Sequence, residues 1–458
     1  MRHAPALNEL AQVLGDRLTQ SKGELDSHAG SESHFPASPP DAVASPRSTE
    51  EVAALMRICA QHRCPVIGWG AGTSLEGQAQ AFSGGVVVDF RLMDQVLAVN
   101  AQDMDAVVQP GVTREALNTE LRSTGLFFPV DPGANASLGG MAMTRASGTT
   151  AVRYGTMRDN VLGLQVVLAD GRVIRTGTRA RKSSAGYDLT GLMVGSEGTL
   201  GLVTELTLRL QGQPEAITAA VCAFEDMAAA VACVTDTIQM GLPMARIEFV
   251  DAAMARVFNA MSGASMPERP HLMIEFHGAP DAVAAQAETF GEIAEGHGAQ
   301  GFAWAARPED RTRLWDMRHR AYWSALSSAP GKRALVTDIC VPISALAAAV
   351  EETAADIAAS PIAGPILGHV GDGNFHALLL FDPALPAEAE AARALSHRMV
   401  ERALAMGGTC TGEHGVGVGK QAYMAAEHGD GWQVMGALKA ALDPLNLLNP
   451  GKLVPPAG

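Results

Sequence analysis

The spacing of hydrophobic and polar residues differs between one part of the chain and another. "EEVAALMRICAQHR" places apolar residues at helical spacing behind the helix-start signal Ser48-Thr49-Glu50-Glu51. From residue 84 to 210, short apolar runs typical of β-strands, such as "GGVVVDF" and "LGLVTELTLRL", are separated by glycine-rich turns. The pattern predicts a strand-rich α+β fold for this part of the chain.

A different pattern begins near residue 211. Two strand–helix–strand units follow, one starting with "AITAAVCAF" and ending with "ARIEFVD", the other starting with "HLMIEFHG" and ending with "AQGFAWA". Such units predict a second α+β domain in which helices cover one face of an antiparallel sheet. We therefore expect a first domain over residues 1–212, a second over residues 213–411, and a segment, 412–458, that returns to the first.

Composition narrows the classes of function. Of the 458 residues 47% are apolar, ample for large cores, and the net charge of −15 argues against nucleic acid as the main partner. The six cysteines are scattered and none forms a Cys-x-x-Cys pair, which indicates free thiols rather than disulfides or a thiolate metal site. We find no apolar run of membrane-spanning length and no secretory signal, so a cytoplasmic location is expected.

Two glycine-rich segments, "GWGAGTSLEGQ" (68–78) and "DPGANASLGGMAMTRASG" (131–148), are candidates for binding a phosphate. The first lacks the spacing of a dinucleotide-binding fingerprint, and "GVGVGKQ" fails as a P-loop. Backbone N–H groups unhindered by side chains can instead curl around a phosphate. Two such loops can grip a diphosphate from two sides; tight turns in a β-rich domain are the alternative.

The segments "PVIGWGAGTSLEGQ", 131–174 and "GYDLTGLMVGSEGTLGLVTELTL" resemble the FAD-binding domain of the vanillyl-alcohol oxidase/p-cresol methylhydroxylase superfamily. The resemblance covers residues 40–212 and implies a two-subdomain FAD-binding domain, with the diphosphate of FAD on the two loops. The positions that match cofactor contacts are Gly70, Gly72, Thr73, Ser74, Pro132, Gly133, Ser137, Gly140, Ala146, Gly148 and Val203. Some members attach FAD through a histidine near the first loop. Because Thr73 and Ser74 stand there instead, we expect non-covalent FAD.

"GHVGDGNFHALLL" (368–380) puts His369 and His376 on either side of a Gly-Asp-Gly-Asn turn. If each histidine lies in a strand beside the turn, both can face one cavity. Glu413, in "TCTGEHGVGVGK", offers a third group, and two imidazoles with one carboxylate are a common ligand set for Zn²⁺, Mn²⁺ or Fe²⁺. For each residue alone, a hydrogen-bonded structural role is the alternative.

"GHVGDGNFH", "GEHGVGVGK" and "LDPLNLLNPGKL" resemble the C-terminal half of the FAD-dependent D-2-hydroxy acid dehydrogenases. The resemblance implies that His369, His376 and Glu413 bind a divalent metal, zinc or manganese, and that His414 is the catalytic base. The chemistry of oxidising an alcohol beside a carboxylate agrees with this. A metal lowers the pKa of the hydroxyl group, a neutral histidine takes its proton, and the flavin takes the hydride.

The substrate carboxylate requires a cation to pair with, and an arginine suits it best. The segment "LWDMRHRAYWSAL" offers Arg318, with Arg320 as runner-up. For either arginine, the alternative is a structural position on a solvated helix face. The segment resembles the D-lactate branch of the family, where the first arginine matches Arg318. Val336 stands where the hydroxyglutarate branch has a lysine for the second carboxylate. A short monocarboxylate such as D-lactate is therefore the expected substrate, and D-2-hydroxyglutarate is the alternative.

Two readings of a different class stay open. One is the flavoprotein subunit of a multisubunit glycolate oxidase, active only with its partners. The other is a metal-dependent hydrolase that kept the His/His/Glu set. The sequence leaves the electron acceptor undetermined among a quinone, a cytochrome and an electron-transfer flavoprotein, and it leaves open whether the protein forms a homodimer.

Overall fold

The computed structural model describes residues 3–305 and 307–455. Within them the helices are α1 Ala4–Leu14, α2 Lys22–Ser27, α3 Thr49–His62, α4 Arg114–Glu120, α5 Leu138–Thr144, α6 Ala151–Tyr154, α7 Met157–Asn160, α8 Leu189–Met193, α9 Met227–Gln239, α10 Ala252–Ser262, α11 Pro280–Gly296, α12 Pro308–His319, α13 Ala321–Ser328, α14 Ile343–Ala358, α15 Pro386–Ala405, α16 Gln421–His428 and α17 Asp430–Leu442. Short 3-10 turns lie at Gly15–Arg17, Phe90–Leu92 and Leu121–Ser123.

The strands of the same residues are β1 Leu18–Thr19, β2 Ala42–Ala44, β3 Val66–Trp69, β4 Val86–Asp89, β5 Val96–Asn100, β6 Asp105–Val108, β7 Leu126–Phe127, β8 Val161–Val167, β9 Val173–Gly177, β10 Leu202–Arg209, β11 Gln211–Gly212, β12 Ala216–Ala223, β13 Met244–Val250, β14 His271–Gly278, β15 Gln300–Ala305, β16 Arg333–Val336, β17 Ile339–Cys340, β18 Ile366–His369 and β19 Asn374–Phe381. The predicted α+β class is confirmed. Among the described helices, none combines the length and apolar character needed to cross a membrane.

The chain forms two compact units. Unit 1 contains the chain up to Ser147, Gly155–Gln213 and the chain from Glu413 onward, and unit 2 contains Gly148–Tyr154 and Pro214–Gly412. The segment Gly148–Tyr154, which the sequence pattern assigned to the first domain, therefore lies in unit 2. There α6 packs against β13, and Arg153 donates hydrogen bonds to two backbone carbonyl groups of unit 2.

Unit 1 is built on two main sheets. The first has the order β1-β2-β4-β3, with β2, β4 and β3 parallel. Helix α3 packs into the core of this sheet and begins at Ser48, whose side chain accepts the N–H of Glu51. The second sheet, β5-β6-β10-β8-β9, is antiparallel. The predicted two-subdomain FAD-binding fold thus has one sheet for each subdomain, with a hydrophobic cluster on each face of the first sheet and a further cluster against the second.

Unit 2 contains one long antiparallel sheet, in the order β15-β12-β14-β13-β18-β19-β16, with β17 also paired to β19. Successive side chains of β14 point to opposite faces of this sheet. Phe276 packs on Phe290 of α11, whereas its neighbour Glu275 accepts a hydrogen bond from Trp315 of α12. Helices therefore cover both faces, and the prediction of helices on one face is wrong because α12 folds back over the other.

A charged network in unit 1 links α2 to the end of β4. His28 Nε2 lies 2.9 Å from Asp89 Oδ2, and Arg91 bonds both Asp89 and Glu24. Arg91 already supplies the cation between the carboxylates, so this is an ion-pair network rather than a metal site. Burial lowers the pKa of His28, but the hydrogen bond to Asp89 and the carbonyl of Glu24 outweigh it, and the pKa is raised overall.

We expect His28→Gln to destabilise the protein more at about pH 5.5 than at about pH 8.5. A histidine whose folded-state pKa is raised contributes stability that is fully present below the unfolded-state pKa and is lost as the pH rises through the folded-state pKa. Thermal unfolding of both proteins at the two pH values measures the effect, with exposed His397→Gln as control. An equal loss at both pH values would contradict this assignment.

Candidate active site

A partly open cavity of about 270 Å³ lies in unit 1. The residues predicted to contact FAD that line it are Gly70, Gly72, Thr73, Ser74, Pro132, Ser137, Gly140, Ala146 and Val203. Two predicted residues, Gly133 and Gly148, are not among the lining residues, and Gly148 belongs to unit 2. The two glycine-rich loops, which are more than fifty residues apart in sequence, therefore contribute to one cavity.

These loops approach each other so closely that side chains are excluded. A Cβ atom on Gly70 would overlap Ser137 Oγ, and one on Gly139 would lie 2.5 Å from Pro110 Cβ. Gly72 has a φ angle of 73°, which residues with a Cβ rarely adopt. Glycine is therefore required at these positions by geometry, and the exposed backbone of such loops is what a phosphate group can approach.

The cavity also has an unsatisfied polar group. Ser74 Oγ is buried and has no hydrogen-bond partner among the described residues. A buried hydroxyl without a partner costs about 1–3 kcal/mol, which an oxygen of a bound nucleotide would remove. Together with the apolar lining from Trp69, Leu202 and Val203, this fits a cofactor that is apolar at its ring system and polar at its diphosphate.

Glu413 and His414 line the same cavity, from the C-terminal part of unit 1. Gln78, beside the first glycine-rich loop, donates from Nε2 to the backbone oxygen of His414 at 2.7 Å. This contact joins the backbone of the predicted catalytic base to the predicted cofactor loop. His414 therefore lines the cavity in which the cofactor is predicted to bind, and its role as a base stays a prediction.

Glu197 holds the turn that follows His414. Its carboxylate accepts the N–H of Val416 at 2.6 Å and of Gly417 at 2.8 Å, across 219 and 220 residues of sequence. Burial raises the pKa of Glu197 to about 7, against the opposing effect of these hydrogen bonds. Burial likewise lowers the pKa of Lys452 to about 7. Neither residue was predicted from the sequence, because Glu197 bonds residues 219 and 220 positions away and Lys452 bonds the backbone oxygens of Gln78 and Gln80.

In unit 2, His369 and His376 lie on the two strands that flank the Gly-Asp-Gly-Asn turn. The register of β18 and β19 pairs Leu367 with His376, so both histidines are on one face of the sheet. Their ring centroids are 5.5 Å apart, and a ligand nitrogen of each lies within 4.8 Å of one on the other. The turn therefore brings two imidazoles together.

The protein fixes the tautomer of both rings. His369 Nδ1 donates to Glu248 Oε1 at 2.7 Å, and His376 Nδ1 donates to the backbone oxygen of Thr337 at 3.0 Å. A ring that donates from Nδ1 carries its lone pair on Nε2, which is the form that ligates a cation. The donor set of this pair fits Zn²⁺ or Mn²⁺.

Arg318 points into the same region of unit 2. Its Nη2 donates to Glu248 Oε2 at 2.6 Å, its side chain is only 9% exposed, and its Nε is buried with no partner among the described residues. The alternative of a solvated helix face is therefore wrong for Arg318, while the runner-up Arg320 is exposed. A buried guanidinium with donor capacity left over can pair with a carboxylate ligand.

Glu248 is the residue of this region that the sequence analysis missed. It occurs in "ARIEFVD", where an acidic residue interrupts a buried strand. That interruption was the available signal, since a carboxylate inside a core needs a charged or hydrogen-bonding partner. His369, His376 and Arg318 belong to unit 2, and Glu413 and His414 to unit 1. That these groups act in one site stays a prediction.

Comparisons with known proteins agree with the fold and the cavity. The model of the FAD linked oxidases, C-terminal domain, matches residues 213–453, and the FAD binding domain model matches residues 40–177. A probable mitochondrial D-lactate dehydrogenase of Danio rerio is 51% identical over 98% of this chain and 91% of its own length. The mitochondrial D-lactate dehydrogenase [cytochrome] of Arabidopsis thaliana is 44% identical over 98% of this chain and 80% of its own length. A glycolate oxidase subunit of Bacillus subtilis is 37% identical over 90% of this chain and 89% of its own length.

Solved structures show the same architecture. p-Cresol methylhydroxylase with substrate bound has a TM-score of 0.81 at 17% identity, over 98% of this chain and 96% of that chain. Alkyldihydroxyacetonephosphate synthase has a TM-score of 0.77 at 19% identity, over 98% of this chain and 86% of that chain. These structures show that the chain has the fold of the vanillyl-alcohol oxidase/p-cresol methylhydroxylase class. Within that class, the chain belongs to the family of FAD-dependent D-2-hydroxy acid dehydrogenases, as its sequence motifs predict.

Proposed function

We propose that the protein oxidises D-2-hydroxy acids, D-lactate foremost, to 2-oxo acids with non-covalently bound FAD and a divalent metal. The observation that carries the proposal is the buried network of unit 2. It joins a histidine of the predicted metal set, His369, to a guanidinium suited to a carboxylate, Arg318. A carboxylate site beside a metal site is what a 2-hydroxy acid requires, since its hydroxyl and carboxylate are on adjacent carbons.

Each predicted residue has a defined task in this proposal. Arg318 pairs with the substrate carboxylate and so fixes its orientation. His369, His376 and Glu413 would hold a divalent metal, and such a metal would supply a lower pKa to the substrate hydroxyl. His414, which lines the cofactor cavity, takes the hydroxyl proton as the C=O bond forms. FAD supplies the one chemistry that no side chain has, acceptance of the hydride released from the α-carbon.

The surroundings of Val336 favour a monocarboxylate. Val336 ends β16 opposite Leu378 of β19, and it packs against the apolar cluster that contains Leu378. A second carboxylate, as in D-2-hydroxyglutarate, would need a cation where this apolar pair stands. The nearby Lys332 is paired with Glu388 at 3.0 Å. D-2-hydroxyglutarate is accordingly the second candidate.

For the electron acceptor, we propose a cytochrome ahead of a quinone or an electron-transfer flavoprotein. The support is the name of the Arabidopsis thaliana relative, which specifies a cytochrome. The Bacillus subtilis relative keeps open a role as one subunit of a glycolate oxidase. The cytoplasmic location stays a prediction, and the names of the Danio rerio and Arabidopsis thaliana relatives specify mitochondria for those proteins.

The test of the proposed function is dye reduction by purified, FAD-loaded protein with D-lactate, L-lactate, glycolate and D-2-hydroxyglutarate. We expect kcat/KM for D-lactate to exceed that of the other three by at least about tenfold. A yellow protein inert toward all four would favour the subunit alternative, and a higher value with D-2-hydroxyglutarate would favour that substrate. A colourless protein that takes up no FAD would contradict the proposal and favour the hydrolase.

A further inference from the structure

We propose that Glu248 is a positioning residue that couples metal binding to recognition of the substrate carboxylate. Its two carboxylate oxygens hold one residue of each function, Oε1 the imidazole of His369 and Oε2 the guanidinium of Arg318. The inference rests on the proposed function, because it takes His369 as a metal ligand and Arg318 as the carboxylate-binding residue.

The contact between Glu248 and His369 is set by the backbone of the sheet. Strands β13 and β18 are antiparallel and pair Val250 with Leu367 and Phe249 with Gly368. One step further in the same register, Glu248 stands opposite His369. Directly opposite side chains on neighbouring strands are within interaction distance on the same face. The hydrogen bond therefore follows from the strand pairing and does not depend on an adaptable loop.

Burial makes this carboxylate a strong hydrogen-bond acceptor. Glu248 is 1% exposed, so its charge is stable only with partners that donate to it. Arg318 supplies a full positive charge at 2.6 Å, and His369 a neutral N–H at 2.7 Å. Charge-assisted hydrogen bonds of this kind are shorter and stronger than neutral ones. Both partners are consequently fixed in orientation.

For His369, the bond to Glu248 keeps the proton on Nδ1 and the lone pair on Nε2. A carboxylate behind a metal-binding imidazole also raises the basicity of the ligating nitrogen, and its loss commonly weakens metal binding by about 10- to 100-fold. Nδ1 of His376 donates to the backbone oxygen of Thr337 at 3.0 Å and lies 3.7 Å from Asp338 Oδ1. His369 bonds the carboxylate of Glu248 directly, so its affinity for a metal is expected to depend on Glu248.

For Arg318, the bond fixes the plane of the guanidinium. One Nη2 hydrogen bond orients a rigid planar group, and the buried Nε keeps donor capacity for a ligand. Without Glu248 the guanidinium of Arg318 would be free to rotate, and its pairing with the substrate carboxylate would weaken. A single substitution is therefore expected to impair both metal affinity and substrate affinity, although the two ligands contact different side chains.

The same sheet offers a matched control in Glu275. It is 4% exposed, and its carboxylate accepts from His277 Nε2 at 2.7 Å and from Trp315 Nε1 at 2.5 Å. It is thus a buried carboxylate that joins a histidine to a second donor, but its partners are outside the proposed site. Glu275→Gln likewise removes a buried carboxylate from unit 2, but the side chains in contact with Glu275 are His277, Trp315 and Arg246 rather than His369 and Arg318.

The experiment compares wild type, Glu248→Gln and Glu275→Gln as FAD-loaded, chelator-stripped protein, titrated calorimetrically with Mn²⁺. Glutamine keeps the shape of Glu248 but offers one acceptor oxygen to two donors. We expect Glu248→Gln to weaken Mn²⁺ binding by about 10- to 100-fold and Glu275→Gln by less than about twofold. At saturating Mn²⁺, KM for D-lactate should rise in Glu248→Gln by a larger factor than kcat falls.

The outcomes separate this proposal from the proposed function on which it rests. If wild type binds Mn²⁺, His369→Ala does not, and Glu248→Gln binds like wild type, the role of Glu248 is overturned and the metal site stands. If wild type itself binds no Mn²⁺, the proposed function fails and the role of Glu248 with it. If Glu248→Gln does not fold, Glu248→Asp takes its place in the titration. Its carboxylate is one methylene shorter, and unchanged affinity would overturn the proposal.

Discussion

Replacing His414 with asparagine is expected to lower kcat for D-lactate by about 10²- to 10⁴-fold while FAD stays bound. Asparagine keeps a polar side chain but cannot take a proton, so the substrate hydroxyl loses its acceptor in the transition state. The backbone oxygen of His414 still accepts the hydrogen bond from Gln78, because that contact needs no side chain at position 414. Dye reduction measures kcat, and the visible absorbance of the purified protein measures bound FAD.

The control for this variant is His297→Asn, which changes a histidine paired with Asp236 near the surface of unit 2. It should retain wild-type kcat and FAD content. Activity of His414→Asn within about threefold of wild type would remove His414 as the base. Loss of FAD from the variant would instead assign His414 to cofactor binding.

Substitution of His376 by alanine is expected to abolish retention of the divalent metal and to lower kcat/KM by at least about 100-fold. The imidazole of His376 is fixed by the backbone oxygen of Thr337, so its removal deletes a preorganised ligand. Chelator treatment of wild type should cause a loss of similar size. Adding Mn²⁺ or Zn²⁺ back should restore wild type and leave the variant inactive. Metal analysis and steady-state kinetics provide the two measurements.

A matched control is His277→Gln, on the neighbouring strand β14. His277 is buried like His376, but its ring bonds Tyr154 and Glu275. It should therefore retain metal and most activity. A chelated wild-type protein with full activity, or a His376→Ala variant with full metal content, would refute the assignment of His376.

Features encoded over short distances in the chain were predictable from the sequence. Ser48 caps α3 through the N–H of a residue three positions later, and the turn between His369 and His376 is specified by four adjacent residues. The glycine-rich loops were recognisable for the same reason, since each loop carries its own glycines. Family resemblance then supplied the cofactor, which no local pattern names.

Features that depend on distant partners were not predictable in this way. Glu248 is 70 residues from Arg318 and 121 residues from His369, and nothing in "ARIEFVD" names either partner. The burial of Arg318 follows from the packing of α12 against the sheet, so the sequence left a solvated face open as an alternative. The placement of Gly148–Tyr154 in unit 2 likewise follows from contacts with strands about 90 to 120 residues further along.

Oxidation of D-lactate by the bound FAD can be followed by anaerobic mixing of FAD- and Mn²⁺-loaded protein with D-lactate, through the visible absorbance of the flavin. Hydride transfer to FAD removes that absorbance and leaves one 2-oxo acid per flavin. The proposed function predicts rapid bleaching with D-lactate, formation of an equal amount of pyruvate, and no bleaching with L-lactate. A flavin that stays oxidised with D-lactate, in a sample that dithionite still reduces, would contradict it.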